Sequence, residues 1–126
     1  MKRIVSLVAV VVLMGSFALN AGIDDIIAAL KTGNSGQIAK YFDNTVEITL
    51  PDKGNSYSRN QGEVVLRDFF TLHPVKGFEV LHKGENGGSQ YCIGTLTTRN
   101  GTFRTTVYMK QKGEKQTLQE IRFETR

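Results

Sequence analysis

Disulfides are the first thing this sequence cannot have. Of its 126 residues one alone, Cys92, is a cysteine, so no internal bridge staples the fold and stability has to come from the core. Clustered cations are missing too. Lysines and arginines are scattered, without the basic stripe that marks a nucleic-acid surface, so nucleic acid is not an expected partner. No internal repeat or low-complexity segment occurs. His73, His82 and Cys92 stand at no metal-ligand spacing, and neither a metal nor a cofactor is expected.

The N-terminus is what the sequence has instead. Lys2 and Arg3 precede an apolar run, Ile4 to Met14, followed by the small residues Gly15, Ser16, Ala18 and Ala21. That order predicts a secretory signal peptide over residues 1–21, cleaved after Ala18 or Ala21. The run is shorter than the ~20 residues that cross a bilayer, and no cysteine follows it to take a lipid, so no stable membrane anchor is expected after cleavage. The expected mature chain is exported, periplasmic or secreted. It is a single domain over residues 22–126, with fourteen basic residues against twelve acidic ones.

Period and capping then predict the elements. "GIDDIIAALKTGN" sets Ile23, Ile26, Ile27 and Leu30 at helical spacing, with Asp24 and Asp25 in the first turn and Gly33 as the stop. Asn34 opens a second helix with Ile38, Tyr41 and Phe42 as its apolar stripe. "TVEITLP" alternates as a half-buried strand, with Val46, Ile48 and Leu50 inward, and a short strand follows around Tyr57. Asn60 to Glu63 reads as the cap of a stronger helix with Val65, Leu66, Phe69, Phe70 and His73 on its apolar side. Four strands follow, centred on "FEVLHK", "QYCIGTLTTR", "TFRTTVYMK" and "TLQEIRFET". The order α-α-β-β-α-β-β-β-β indicates an α+β domain.

That order, with "ALKTGN…YF", "RDFF", "F-x-V-x-H-x-G", "IGTL" and "NGTFR", resembles an uncharacterised bacterial secreted family, domain of unknown function 4783, within the nuclear transport factor 2-like superfamily. The resemblance spans residues 23–124. It implies a cone: a curved mixed or antiparallel sheet of about six strands packed on three helices. It carries no activity and no site, because that superfamily includes ketosteroid isomerases, dehydratases, transport factors and plain binding domains.

The Asn100-Gly101 pair predicts a two-residue turn that sets Arg99 opposite Thr102. Cys92, Gly94, Leu96, Thr98, Phe103, Thr105, Val107 and Met109 then share the core face, with Cys92 opposite Met109. A three-residue loop, Gly113 to Lys115, would pair Val107 with Ile121, Thr105 with Phe123, Arg104 with Glu124 and Tyr108 with Glu120. Placing Phe78, Val80 and His82 inward sets His82 opposite Cys92.

The candidate sites follow from this register. Tyr41, His82 and Cys92 are the expected ligand-binding residues of the cone interior. A Cys–His pair there could activate a thiolate, but a buried cysteine more often packs as a small hydrophobe. Asp24, Asp25 and Asp43 are the carboxylates nearest the expected mouth, and first-turn or helix-end roles explain them better than general-base chemistry. No catalytic residue is expected. On the outer face Tyr91, Ile93, Tyr108 and Leu118 form a candidate interface for a weak homodimer. The sequence therefore favours a small exported, non-catalytic binding or interaction module whose partner is a small molecule or protein. The alternatives are a ketosteroid isomerase- or dehydratase-type enzyme using the cone interior, and a structural accessory of the cell envelope.

Overall fold

A computed structural model describes residues 21–126, so the expected signal segment, apart from Ala21, lies outside the described residues. Helix α1 (Ala21–Thr32) buries Ile23, Ile26, Ile27 and Leu30 on one stripe. It ends where Gly33 takes a left-handed φ of 69°. The N–H groups of Gly33 and Asn34 then reach back to the carbonyls of Leu30 and Ala29, at 3.3 and 2.9 Å. This paired closure needs a residue that tolerates positive φ.

Helix α2 (Ser35–Ala39) is capped by Asn34, whose Oδ1 accepts the Gln37 N–H at 3.1 Å. It is shorter than its apolar spacing suggests. Tyr41 and Phe42 lie beyond it, and Phe42 opens strand β1 (Phe42–Leu50). The cause is tertiary: the Tyr41 carbonyl accepts the Leu118 N–H at 2.6 Å, so the last strand captures the chain before another helical turn forms.

Strand β2 (Lys53–Ser58) folds back on β1. Helix α3 (Arg59–Leu72) starts earlier than expected. Its cap is Ser58, whose Oγ accepts the Gln61 N–H at 3.3 Å, rather than Asn60. Gly62 lets α3 lie close on β1, since a Cβ there would stand 2.8 Å from Val46 and 3.0 Å from Phe42.

Strands β3 (Val75–Asn86), β4 (Ser89–Thr98), β5 (Gly101–Lys112) and β6 (Lys115–Thr125) complete one six-stranded sheet in the order β2-β1-β6-β5-β4-β3. Every pairing is antiparallel except β1 with β6. Register shifts interrupt the β1–β6, β3–β4 and β5–β6 ladders, and such bulges bend and twist a sheet. Three helices on a curved mixed sheet of six strands is the expected architecture.

All eight residues assigned to the core face of β4 and β5 are buried. Their partners are offset, however. The turn is Arg99–Asn100, Thr98 pairs with Gly101, and Cys92 faces Val107 rather than Met109. A slide of two residues changes neighbours and keeps faces, because side chains alternate with period two.

In β5–β6 the four expected pairs form, by a different route. The turn has two residues, Gly113–Glu114, and Gln119 is the extra residue of a bulge between the Met109–Leu118 and Tyr108–Glu120 pairs. That bulge turns Leu118 inward. Leu118 is fully buried and is no part of the outer face.

The core lies between the helices and the concave side of the sheet. At its centre Phe69 stacks on Phe123 at 4.5 Å between ring centroids and meets Phe103 edge-on at 5.3 Å.

Candidate functional site

At one end of the sheet the core opens into a cleft of about 590 Å³. Four elements meet there: the C-terminal half of α3, the turn between β1 and β2, the β4–β5 turn and the end of β6. The cleft is apolar on one side through Leu50, Val65, Phe69 and Phe103, and Asp52, Lys53, Asp68, His73, Asn100 and Thr125 add polar groups.

His73 ends α3, and its backbone N–H caps the Phe69 carbonyl at 2.8 Å. Its ring lies 4.8 Å from Phe69 and 5.0 Å from Phe103, centroid to centroid. One hydrogen-bond chain sets its tautomer. The Asn100 Nδ2 donates to the Leu72 carbonyl at 2.9 Å, which turns the Asn100 Oδ1 toward His73 Nδ1, also at 2.9 Å. The Oδ1 can only accept, so Nδ1 carries the proton, and the lone pair of the neutral ring is at Nε2. The backbone repeats the tie, with the Arg99 N–H on the Pro74 carbonyl at 3.0 Å. Helix end and hairpin turn are thereby held together at the rim.

None of Tyr41, His82 and Cys92 lines this cleft, and the structure does not bring the three together. A bulge between Val80 and His82 shifts the β3–β4 register by one, so Lys83 faces Cys92 and His82 faces Ile93. His82 is therefore exposed on the outer face, and there is no Cys–His pair. Lys83 takes the inner side instead and donates to Asp24 of α1 at 2.9 Å. Cys92 is fully buried, and loss of water pushes its thiol up from 9.0 to about 11, against a smaller opposing pull from Lys83.

Tyr41 packs against the core, and its hydroxyl donates to Asp25. Burial first, then the Asp25 bond and charge, push its pKa up to about 12. Asp43 binds Lys112 and accepts from the Gln119 Nε2 at 3.1 Å and the Asn44 N–H at 2.8 Å. Lys112 ends β5 at the opposite end from Phe103, so Asp43 stands away from the cleft. Each of the three carboxylates considered from the sequence thus has a partner elsewhere. Among the described residues no three His, Cys, Asp or Glu side chains converge as a metal site requires.

On the outer face Tyr91 and Tyr108 are cross-strand neighbours beside Ile93. Tyr91 is exposed, and the Tyr108 hydroxyl shares a 3.0 Å hydrogen bond with Ser89.

The model of the family "domain of unknown function", DUF4783, matches residues 23–124. The chain belongs to that family. Crystal structures of family members resemble it over most of their length. The protein from Bacteroides uniformis is 30% identical, with a TM-score of 0.79 over 82% of this chain and 95% of that one. The protein from Bacteroides fragilis is 32% identical, with a TM-score of 0.76 over 81% and 96%. A nuclear transport factor 2-like protein of unknown function from Cytophaga hutchinsonii aligns with a TM-score of 0.61 over 86% and 89% at 12% identity, a likeness of fold alone. No curated protein matches the chain.

The cleft residues escaped the sequence because they come from four separate elements. Two local signals pointed near it: the His73-Pro74 pair closing a helix and the Asn100-Gly101 turn.

Proposed function

We propose that the protein is a small exported binding module that holds a small molecule in the cleft beside His73, and that it does not turn that molecule over. The observation that carries this reading is the cleft itself, a pocket of small-molecule size with an apolar side and a few polar groups at its rim. Isomerase-type chemistry needs a free base and a free oxyanion donor. Three candidate donors are committed to protein acceptors: one Asn100 amide N–H to Leu72, the His73 Nδ1–H to Asn100, and the Tyr41 hydroxyl to Asp25. The Cys92 thiol stays protonated at neutral pH.

Export rests on the order of charges, apolar run and small residues over residues 1–21. No helix among the described residues is long and apolar enough to cross a membrane. N-terminal sequencing of the protein from the producing cell should begin at Leu19 or Gly22, and an intact Met1 on a membrane-bound chain would refute export.

Binding is tested by two-dimensional amide NMR against a set of neutral and charged amphiphiles. Saturable shifts at Val65, Leu72, His73 and Asn100, with ligands recovered unchanged, are expected. A set that leaves these amides unmoved would refute the cleft as a site.

A further inference from the structure

The charges around the cleft are not balanced. Asp52 and Asp68 line it, and Lys53 is the one lysine or arginine among the lining residues. Among the described residues neither carboxylate is in an ion pair, since the two ion pairs join Lys83 to Asp24 and Lys112 to Asp43. Helix α3 ends at the cleft, and its last turn holds no basic residue. The C-terminal end of a helix carries partial negative charge on its free carbonyls, so the helix adds to the field of the two carboxylates instead of offsetting it.

The hydrogen-bond inventory leans the same way. One Asn100 amide proton and the His73 Nδ1 proton face protein acceptors. The neutral form of His73 then offers the Nε2 lone pair, and carboxylates only accept. The acceptor sites of the two carboxylates and the imidazole thus outnumber the donors of Lys53, Thr125 and the second Asn100 amide proton around an apolar pocket, with Phe69 and Phe103 at its inner side.

We infer that the cleft selects a cationic amine carried on an apolar or aromatic body. The body fills the side made by Leu50, Val65, Phe69 and Phe103, and the ammonium sits at the rim between Asp52, Asp68 and the end of α3. This inference rests on the binding reading above and adds the chemistry of the ligand.

Three probes with one body and different heads separate the two claims: 4-phenylbutylamine, 4-phenylbutanol and 4-phenylbutanoate, each titrated into the purified protein near neutral pH and followed by amide NMR. The amine should bind about tenfold more tightly than the carboxylate, as two half-screened charge contacts allow, and the gap should shrink with added salt. Asp52→Asn and Asp68→Asn should each weaken the amine about two- to fivefold and leave the alcohol unchanged. Lys53→Ala should tighten the amine, a gain that a damaged fold does not produce. If the alcohol or the carboxylate binds as tightly as the amine, the cleft is a site and the inference about charge is wrong. If none of the three moves the cleft amides, the binding reading falls and this inference falls with it.

Discussion

The Nδ1 of His73 lies 2.9 Å from the Oδ1 of Asn100, and this bond joins the end of helix α3 to the turn between β4 and β5. Asn100 performs two tasks at once, because its Nδ2 also satisfies the Leu72 carbonyl. Such a carbonyl at a helix end otherwise needs water or another cap.

Asn100→Ala should therefore cost about 1 kcal/mol of stability, the ordinary net worth of a hydrogen bond, read as a lower urea midpoint. Pairing Asn100→Ala with His73→Ala makes a sharper test, because residues that share a hydrogen bond do not act additively. The double variant should lose about 0.5–1 kcal/mol less than the sum of the two single losses. Full additivity in urea melts would break the assigned His73–Asn100 contact.

The same residue shows what was legible in the sequence. Alternation through Phe103, Thr105, Val107 and Met109 sufficed to assign faces, and those faces survive a two-residue slide. The slide itself was not legible, since Asn100 sits in the turn and bonds a helix far away in the chain. Bulges were hidden for a related reason. One extra residue, at Gln119 in β6 and near Leu81 in β3, depends on how the whole sheet curves, and each reversed a side-chain assignment, Leu118 inward and His82 outward. The cleft was hidden most fully, because Asp52, Asp68, His73 and Asn100 meet only once the fold exists.

Asp43 gives the protein an acid limit. The Lys112 contact first, then the bonds from Gln119 and Asn44, lower its pKa from 3.8 to about 2. A carboxylate with a depressed folded pKa binds protons less readily in the native state than in the unfolded one. Its contribution to stability is complete above about pH 4 and is lost as pH falls toward 2. Asp43→Asn should be less stable than the parent protein at pH 5, and the difference should close over that window in urea melts. A constant difference from pH 5 to 2 would show that Asp43 is not the titrating group.

Phe69 and Phe103 place the boundary between core and cleft. Both are buried, their rings lie 5.3 Å apart, and both also line the cleft. Removing a packed ring leaves a cavity as well as losing transfer energy, so Phe69→Ala and Phe103→Ala should each cost about 3–5 kcal/mol. Phe69 also contacts Phe70, Phe123 and His73, which puts it at the upper end of that range. Phe→Leu at either position should recover much of the loss. Denaturation midpoints unchanged by the alanine variants would mean that the α3 face does not pack on the sheet as described.

Cys92 tests the inner face most directly. It is fully buried between Val107 on β5 and Lys83 on β3, and the Lys83 ammonium is engaged by Asp24 at 2.9 Å. Desolvation dominates, so the thiol stays protonated until about pH 11. Thiol reagents should fail to label the native protein at pH 7 and should label it once in urea. The raised folded pKa also sets the sign of a pH effect. The native state holds this proton more tightly than the unfolded chain, so the contribution to stability is complete below pH 9 and declines between about 9 and 11. Cys92→Ser should remove that alkaline decline. It should also lower stability by about 1–3 kcal/mol, because a buried hydroxyl needs a hydrogen-bond partner that a thiol does not. Binding of 4-phenylbutylamine should survive the change, as Cys92 does not line the cleft. Fast alkylation of the folded protein, with a rate that follows a pKa below 9, would place the thiol in contact with solvent and overturn the register that buries it.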